Sequence, residues 1–140
     1  DINPESANSS LLYFLLKQNV VPVFAPLTHA QGTMLNTNAD TIASVLAIVM
    51  SKHFDVRLMY CFEKEGVLMD VDRSDSVIRH LPKSLYEALL SEEKFSDGML
   101  PKLETAFKAI DAGVKEILIG HAKDVQKNTG QETAGTLITL

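Results

Sequence analysis

Segments of helical and strand periodicity alternate along the chain, and this alternation predicts an α/β domain with a largely parallel sheet sandwiched by helices. Three observations carry the prediction. Ile42, Val45, Leu46, Val49 and Met50 recur at helical spacing and make one apolar stripe. Short, mostly apolar runs at 56–62, 116–119 and 136–140 have the length and the β-branched content of buried strands. Helical patterns fall between these runs, as crossovers between parallel strands require.

The elements follow in order. Pro4 and its polar neighbours read as a loop leading to a helix start near Ser9-Ser10. Leu11, Leu12, Phe14, Leu15 and Leu16 make a short helix that Asn19 stops. Residues 20–27, Val-Val-Pro-Val-Phe-Ala-Pro-Leu, read as a buried strand whose two prolines favour an edge or the strand ends. Residues 28–33 include Gly32 and suit a turn or small hairpin. Asn38 is a suitable N-cap for the striped helix, and Asp40 falls in its first turn, where the helix dipole favours an acid. Residues 56–62 form the next strand, turned by Glu63-Lys64-Glu65-Gly66, and Val67-Leu68-Met69 continue it. Asp70 to Ser76 make a charged loop. Leu81-Pro82 open a helix carrying Leu85, Leu89 and Leu90. Leu103, Ala106, Phe107 and Ile110 mark another helix, ended by Gly113. Residues 116–119 lead as a strand into Gly120. Residues 123–133 are polar without clear periodicity, and residues 136–140 close the chain as a strand.

A length of 140 residues suits one domain with a real core. A formal net charge of -5 argues against general nucleic-acid binding, which relies on clustered Lys and Arg. Cys61 is the single cysteine, so no internal disulfide forms; it fits a reducing, cytoplasmic setting and reads as a small buried hydrophobe. His29, His53, His80 and His121 make no metal-ligand pair at helical spacing. The polar opening Asp1 to Glu5 gives no signal-peptide pattern, and no apolar stretch is long enough for a membrane span.

Two segments concentrate recognition chemistry. Asn36 and Asn38 lie two apart, so an extended backbone aims them to one side, and an amide binds a carboxylate without adding charge. Asp40 suits holding an ammonium. A purely local capping cluster explains one Asn and the Asp equally well. The second segment is Gly98-Met99-Leu100-Pro101-Lys102. Pro101 suits the first turn of a helix, which puts Lys102 beside the positive end of the helix dipole. A bound anion relieves that conflict, shared between free N–H groups and the ammonium. The competing reading is a solvated surface lysine, because the dipole penalty is only ~0.3–1 kcal/mol.

Asn36-Thr37-Asn38-Ala39-Asp40 before an apolar helix, a strand ending ahead of Gly66-Val67-Leu68, Asp97-Gly98-Met99-Leu100-Pro101-Lys102, and Gly135-Thr136-Leu137-Ile138 come in the order found in N-acetyl-L-glutamate kinases. The chain from Val20 onward resembles that branch of the amino acid kinase family. The resemblance implies ATP-dependent phosphorylation of the side-chain carboxylate of an N-acyl-glutamate, in arginine biosynthesis. It implies that Asn36 and Asn38 bind the amino-acid substrate, that Lys102 stabilises the transferring phosphoryl group, and that Asp40 positions the catalytic lysines. It puts the nucleotide against Glu63, Lys64, Glu65, Gly66, Val67 and Leu68 and against Lys94, Phe95 and Ser96, with Mg2+ travelling on the ATP phosphates. A homo-oligomer is implied for the full-length enzyme. The family's usual Thr-Asp-Val at the nucleotide strand is replaced here by Phe62-Glu63-Lys64. No Lys-x-Gly-Gly or Gly-Gly-Gly segment occurs, so residues 1–140 are expected to be the C-terminal, nucleotide-binding half, without the N-terminal substrate-binding part. Another kinase of the superfamily, for example one acting on N-succinyl-glutamate, and a non-catalytic nucleotide-binding module are the alternatives.

Overall fold

The computed structural model describes every residue except Asp1, Val71, Asp97 and Gln131. Asp97 of the second recognition segment therefore lies outside the described residues.

Helix α1, Ser9–Lys17, is capped by the Asn8 side chain, which accepts the Leu11 N–H. It ends as expected at Asn19, whose φ of 58° closes the helix with bonds from Val20 N to Leu15 O and from Asn19 N to Leu16 O. Strands β1, Leu27–Ala30, and β2, Thr33–Asn36, form an antiparallel hairpin. Positive φ at Gln31 and Gly32 makes its tight two-residue turn. Helix α2, Ala39–Ser51, starts where the sequence puts it, with Asn38 accepting the Thr41 N–H.

The main sheet holds β3 (Arg57–Phe62), β4 (His80–Pro82), β5 (Glu116–His121) and β6 (Thr136–Thr139) in the order β3-β5-β6-β4. Pairs β3/β5 and β4/β6 are parallel, and the β5/β6 junction is antiparallel. Helix α3, Lys83–Ser91, follows β4 directly, and α4 spans Leu100–Asp111. Ile117, Ile119 and Ile138 are fully buried and meet Leu103, Ala106, Phe107 and Ile110 of α4 in one core. Leu118 and Gly120 face the other side, where the short α5, Val125–Asn128, packs against β5. There the Asn128 side chain accepts the Ala134 N–H at 2.7 Å. Arg57 ties the start of β3 to the same region. It donates to Glu116 at 2.7 Å and to the carbonyls of Asn128 and Gly130 at 2.9 and 2.6 Å.

Several expectations are corrected. Residues 20–26 are not a strand and are mostly exposed. An apolar run becomes a strand only where another backbone pairs along it, and among the described residues it meets only a single bond, from Thr37 N to Pro26 O. Leu81 and Pro82 pair with β6 as part of β4, and the expected helix opens directly after them with Pro82 as its N-cap. Val67 to Met69 leave the sheet instead of continuing β3. They run antiparallel to Ser76–Ile78, with bonds from Met69 N to Ser76 O and from Ile78 N to Val67 O. Cys61 is exposed and not buried, on β3 at one edge of the sheet.

Candidate functional site

Parallel strands β3 and β5 end together, with Phe62 opposite His121. Helices α2 and α4 pack side by side, and their N-terminal turns face one groove beside the β3 end. In open α/β sheets this carboxyl edge is where ligands bind.

Asp40 and Lys102 each sit in the first turn of their helix, and they meet across the groove. The Lys102 ammonium donates to Asp40 Oδ2 at 2.9 Å. The same ammonium lies 5.3 Å above the Phe62 ring, a cation–π contact. Asn38, Asp40, Thr41, Tyr60, Pro101 and Lys102 line the groove. Its floor is fixed by a buried bond between the hydroxyls of Ser44 and Tyr60 at 3.0 Å. Burial pushes the Tyr60 phenol above its usual range, and the Asp40 charge adds to that push while the Ser44 bond opposes it.

The two helix ends differ. That of α2 is capped by Asn38, whereas α4 begins at Met99 with no side-chain cap. Leu100 N donates to Ser96 O and Pro101 has no N–H, so the positive pole of α4 acts there chiefly through its dipole, to which Lys102 adds a full charge. An ammonium has three donors; Asp40 takes one. Both side chains remain partly exposed, at 35% and 41%, and a pair of that kind contributes only about 0.2–1 kcal/mol to stability. The arrangement therefore costs little to open toward a ligand and holds the cation at a defined point.

Beyond the end of β3 lies a second depression, lined by Lys64, Gly66, Leu68, Phe95, Ser96 and Met99. Glu63 and Glu65 line a separate depression with Asp72 and Ser74, which shares Lys64 and Leu68 with the first. The two expected nucleotide segments thus come together, although more than two dozen residues separate them. Gly66 is needed for close approach: a Cβ there would stand 2.7 Å from Thr136 Oγ1 and 2.9 Å from Val77 Cγ1. Glu65 pairs with Lys123 at 2.6 Å, and that ammonium holds the Glu65 carboxyl below its usual range.

Three expected residues sit elsewhere. Val67 is buried in the core, with its N–H donated to Thr136 Oγ1 at 2.8 Å. Lys94 is exposed and lines neither depression; its N–H closes α3 onto Leu89 O. Asn36 ends β2, is exposed, and does not line the groove with Asn38. Its backbone is held in the hairpin, opposite Leu27. Tyr60, Thr41 and Thr105 line the groove without having been singled out from the sequence. Tyr60 had a readable signal, as the residue two before the end of an apolar strand on the core-facing side.

Residues 2–121 match the amino acid kinase family. The chain belongs to the amino acid kinase family. It is 47% identical over 127 residues to acetylglutamate kinase of Parabacteroides distasonis, covering 90% of this chain and 50% of that protein. It is 50% identical over 127 residues to acetylglutamate kinase of Bacteroides thetaiotaomicron, covering 90% and 49%. The chain thus spans about half the length of the curated relatives it matches. Among solved structures, N-acetylglutamate synthase from Neisseria gonorrhoeae superposes with a TM-score of 0.79 at 20% identity, over 95% of this chain and 31% of that one. That likeness concerns the fold, α/β with a mostly parallel sheet, as expected for this family.

Proposed function

We propose that this chain is the nucleotide-binding half, the C-terminal one, of an acetylglutamate kinase, which phosphorylates the side-chain carboxylate of N-acetyl-L-glutamate with ATP. The carrying observation is the Lys102–Asp40 pair at 2.9 Å, set between the N-termini of two helices. Identities of 47–50% to proteins named acetylglutamate kinase support the choice of acceptor.

The chemistry suits the residues. A glutamate carboxylate is ionised at neutral pH, so no general base is needed. The obstacle is repulsion between that anion and the polyphosphate. Catalysis then consists of alignment and charge neutralisation. Lys102 would meet charge developing on the transferring phosphoryl oxygens, helped by the positive end of the α4 dipole. Asp40 would hold the ammonium in place. Asn38 would donate an amide hydrogen to the substrate side of the groove, since its oxygen is engaged with Thr41. Glu63, Lys64, Glu65, Gly66, Leu68, Phe95 and Ser96 would border the nucleotide. Among the described residues no group of three or more His, Cys, Asp or Glu could hold a metal ion. Mg2+ bound through ATP phosphates fits this donor set, because such ions keep water and phosphate oxygens as most of their ligands.

The test is a chimera: the Bacteroides thetaiotaomicron kinase with its matching 127 residues replaced by this chain. Acyl-phosphate formation from N-acetyl-L-glutamate, trapped as a hydroxamate, is expected, with N-succinyl-glutamate as the comparison substrate. Lys102→Ala should lower kcat by about 10²–10³-fold. A folded chimera that binds ATP, turns over no acyl-glutamate and ignores Lys102→Ala in every readout but binding would make the chain a nucleotide-binding module instead.

A further inference from the structure

Lys102 carries its charge on a long, flexible stem, and a single ion pair leaves an ammonium free to swing about its partner. A third element supplies a second contact. The ammonium stands over the face of the Phe62 ring, 5.3 Å from its centroid. An aromatic face carries the negative part of the ring quadrupole and attracts a cation. Phe62 ends β3, opposite His121, and points to the same side of the sheet as Tyr60. Its ring packs against the buried core, which fixes its position. Helix α2 through Asp40, α4 through Lys102 and β3 through Phe62 thus converge on one nitrogen.

The two contacts use the ammonium differently. Asp40 accepts one of its three N–H groups. A ring face attracts the charge as a whole and commits no donor to a lone pair, as a hydroxyl or a second carboxylate would. We infer that Phe62 is a positioning residue: its ring face and Asp40 together hold the Lys102 ammonium at one point of the groove while its remaining donors stay free for phosphate oxygens. The inference rests on the reading of Lys102 as the residue that meets the transferring phosphoryl group.

Such a role is electrostatic, which separates it from ordinary core packing. Fluorine atoms on a phenyl ring draw charge from its face with little change of shape. In the chimera, mono-, di- and trifluorophenylalanine placed at Phe62 should give kcat values that fall step by step, by about two- to fivefold across the series. KM for ATP and for N-acetyl-L-glutamate should change little, because the contact serves charge that develops in the transition state. Phe62→Leu, which keeps an apolar side chain, should lower kcat by as much as the trifluoro analogue. In a Lys102→Ala background the same Phe62→Leu change should leave kcat where it stands.

Equal kcat across the fluorinated series overturns the inference and leaves the ring a matter of shape. An equal loss from Phe62→Leu with and without Lys102 overturns it as well. A further measurement reads the contact without catalysis. In proton NMR of the isolated chain and of the chimera, the ring current of Phe62 should move the ε-methylene signal of Lys102 upfield, and Phe62→Leu should abolish that displacement. A Lys102 signal at its ordinary position in both proteins overturns the inference whatever the activity. A chimera that keeps the displaced signal but phosphorylates no acyl-glutamate counts only against the kinase reading, and the hold of the ring on the ammonium stands.

Discussion

At the scale of single residues, the groove depends on groups whose environments differ sharply. Lys102 and Asp40 are half-open to water, so their pairing adds little to stability, while their position is set by two helix starts. Tyr60 beneath them is buried and bonded to Ser44, which is itself buried. Tyr60→Phe removes a hydroxyl partner and leaves Ser44 unpaired, which should cost about 1–2 kcal/mol in urea unfolding. The pH dependence has a definite sign. The folded phenol titrates above its ordinary 10.0, so the neutral side chain's contribution is complete below that pH and is lost as pH rises through the folded value. Alkaline unfolding of the Tyr60→Phe variant should therefore show a weaker dependence on pH than that of the parent. A variant with the parent's full pH dependence would disconnect Tyr60 from alkaline stability.

At the scale of elements, the sequence reads best where a segment carries its own start and stop. Helix α2 announces itself through Asn38 and its stripe, and α4 through Pro101 and Gly113. The short β4 was missed because three residues cannot carry a period; pairing with β6 alone makes His80–Pro82 a strand. The loop from Glu63 to Leu68 depends on contacts distant in the chain. Gly66→Ala would drive a methyl into Thr136 and Val77 and disturb the bond from Val67 N to Thr136, at a cost of about 1–3 kcal/mol. Nucleotide affinity should fall with it, measured by calorimetry on the chimera. The same loop is tied to the segment after β5 by Glu65 and Lys123. Lys123 depresses the Glu65 pKa below 4.5, so the pair's stabilisation is present above that pH and is lost as pH falls through the lower folded value. Glu65→Gln should flatten the fall of the urea midpoint in that acid window; an unaltered fall would show that other carboxylates govern it.

At the scale of the whole molecule, two regions stand in contrast. The sheet with α3 and α4 encloses a core in which Leu81, Leu103, Ile117, Ile119 and Ile138 lose all contact with water. The segment from α1 through residues 20–27 to the hairpin leaves Phe14, Val21, Val23 and Met34 more than half exposed. The isolated chain should accordingly bind an apolar fluorescent dye strongly for a folded protein. Replacing Val21, Val23 and Phe24 together by Asp should remove most of that signal, whereas a signal that survives would locate the apolar surface elsewhere.

The sequence by itself determined the alternation of helices and strands, the caps at Asn38 and Gly113, and the family, because these are written in local spacing and short motifs. It also marked Lys102 and Asp40 as candidates, since each conflicts or agrees with its own helix dipole. Only the tertiary structure decided that the two meet at 2.9 Å, that Asn36 lies outside the groove that Asn38 lines, and that Lys64, Gly66 and Leu68 border one depression with Phe95 and Ser96. It likewise decided the antiparallel β5/β6 junction and the unpaired state of residues 20–26. The physical reason is common to all of these. Periodicity and capping are properties of one segment, whereas pairing and distance belong to two segments, and a strand exists only when its partner is there.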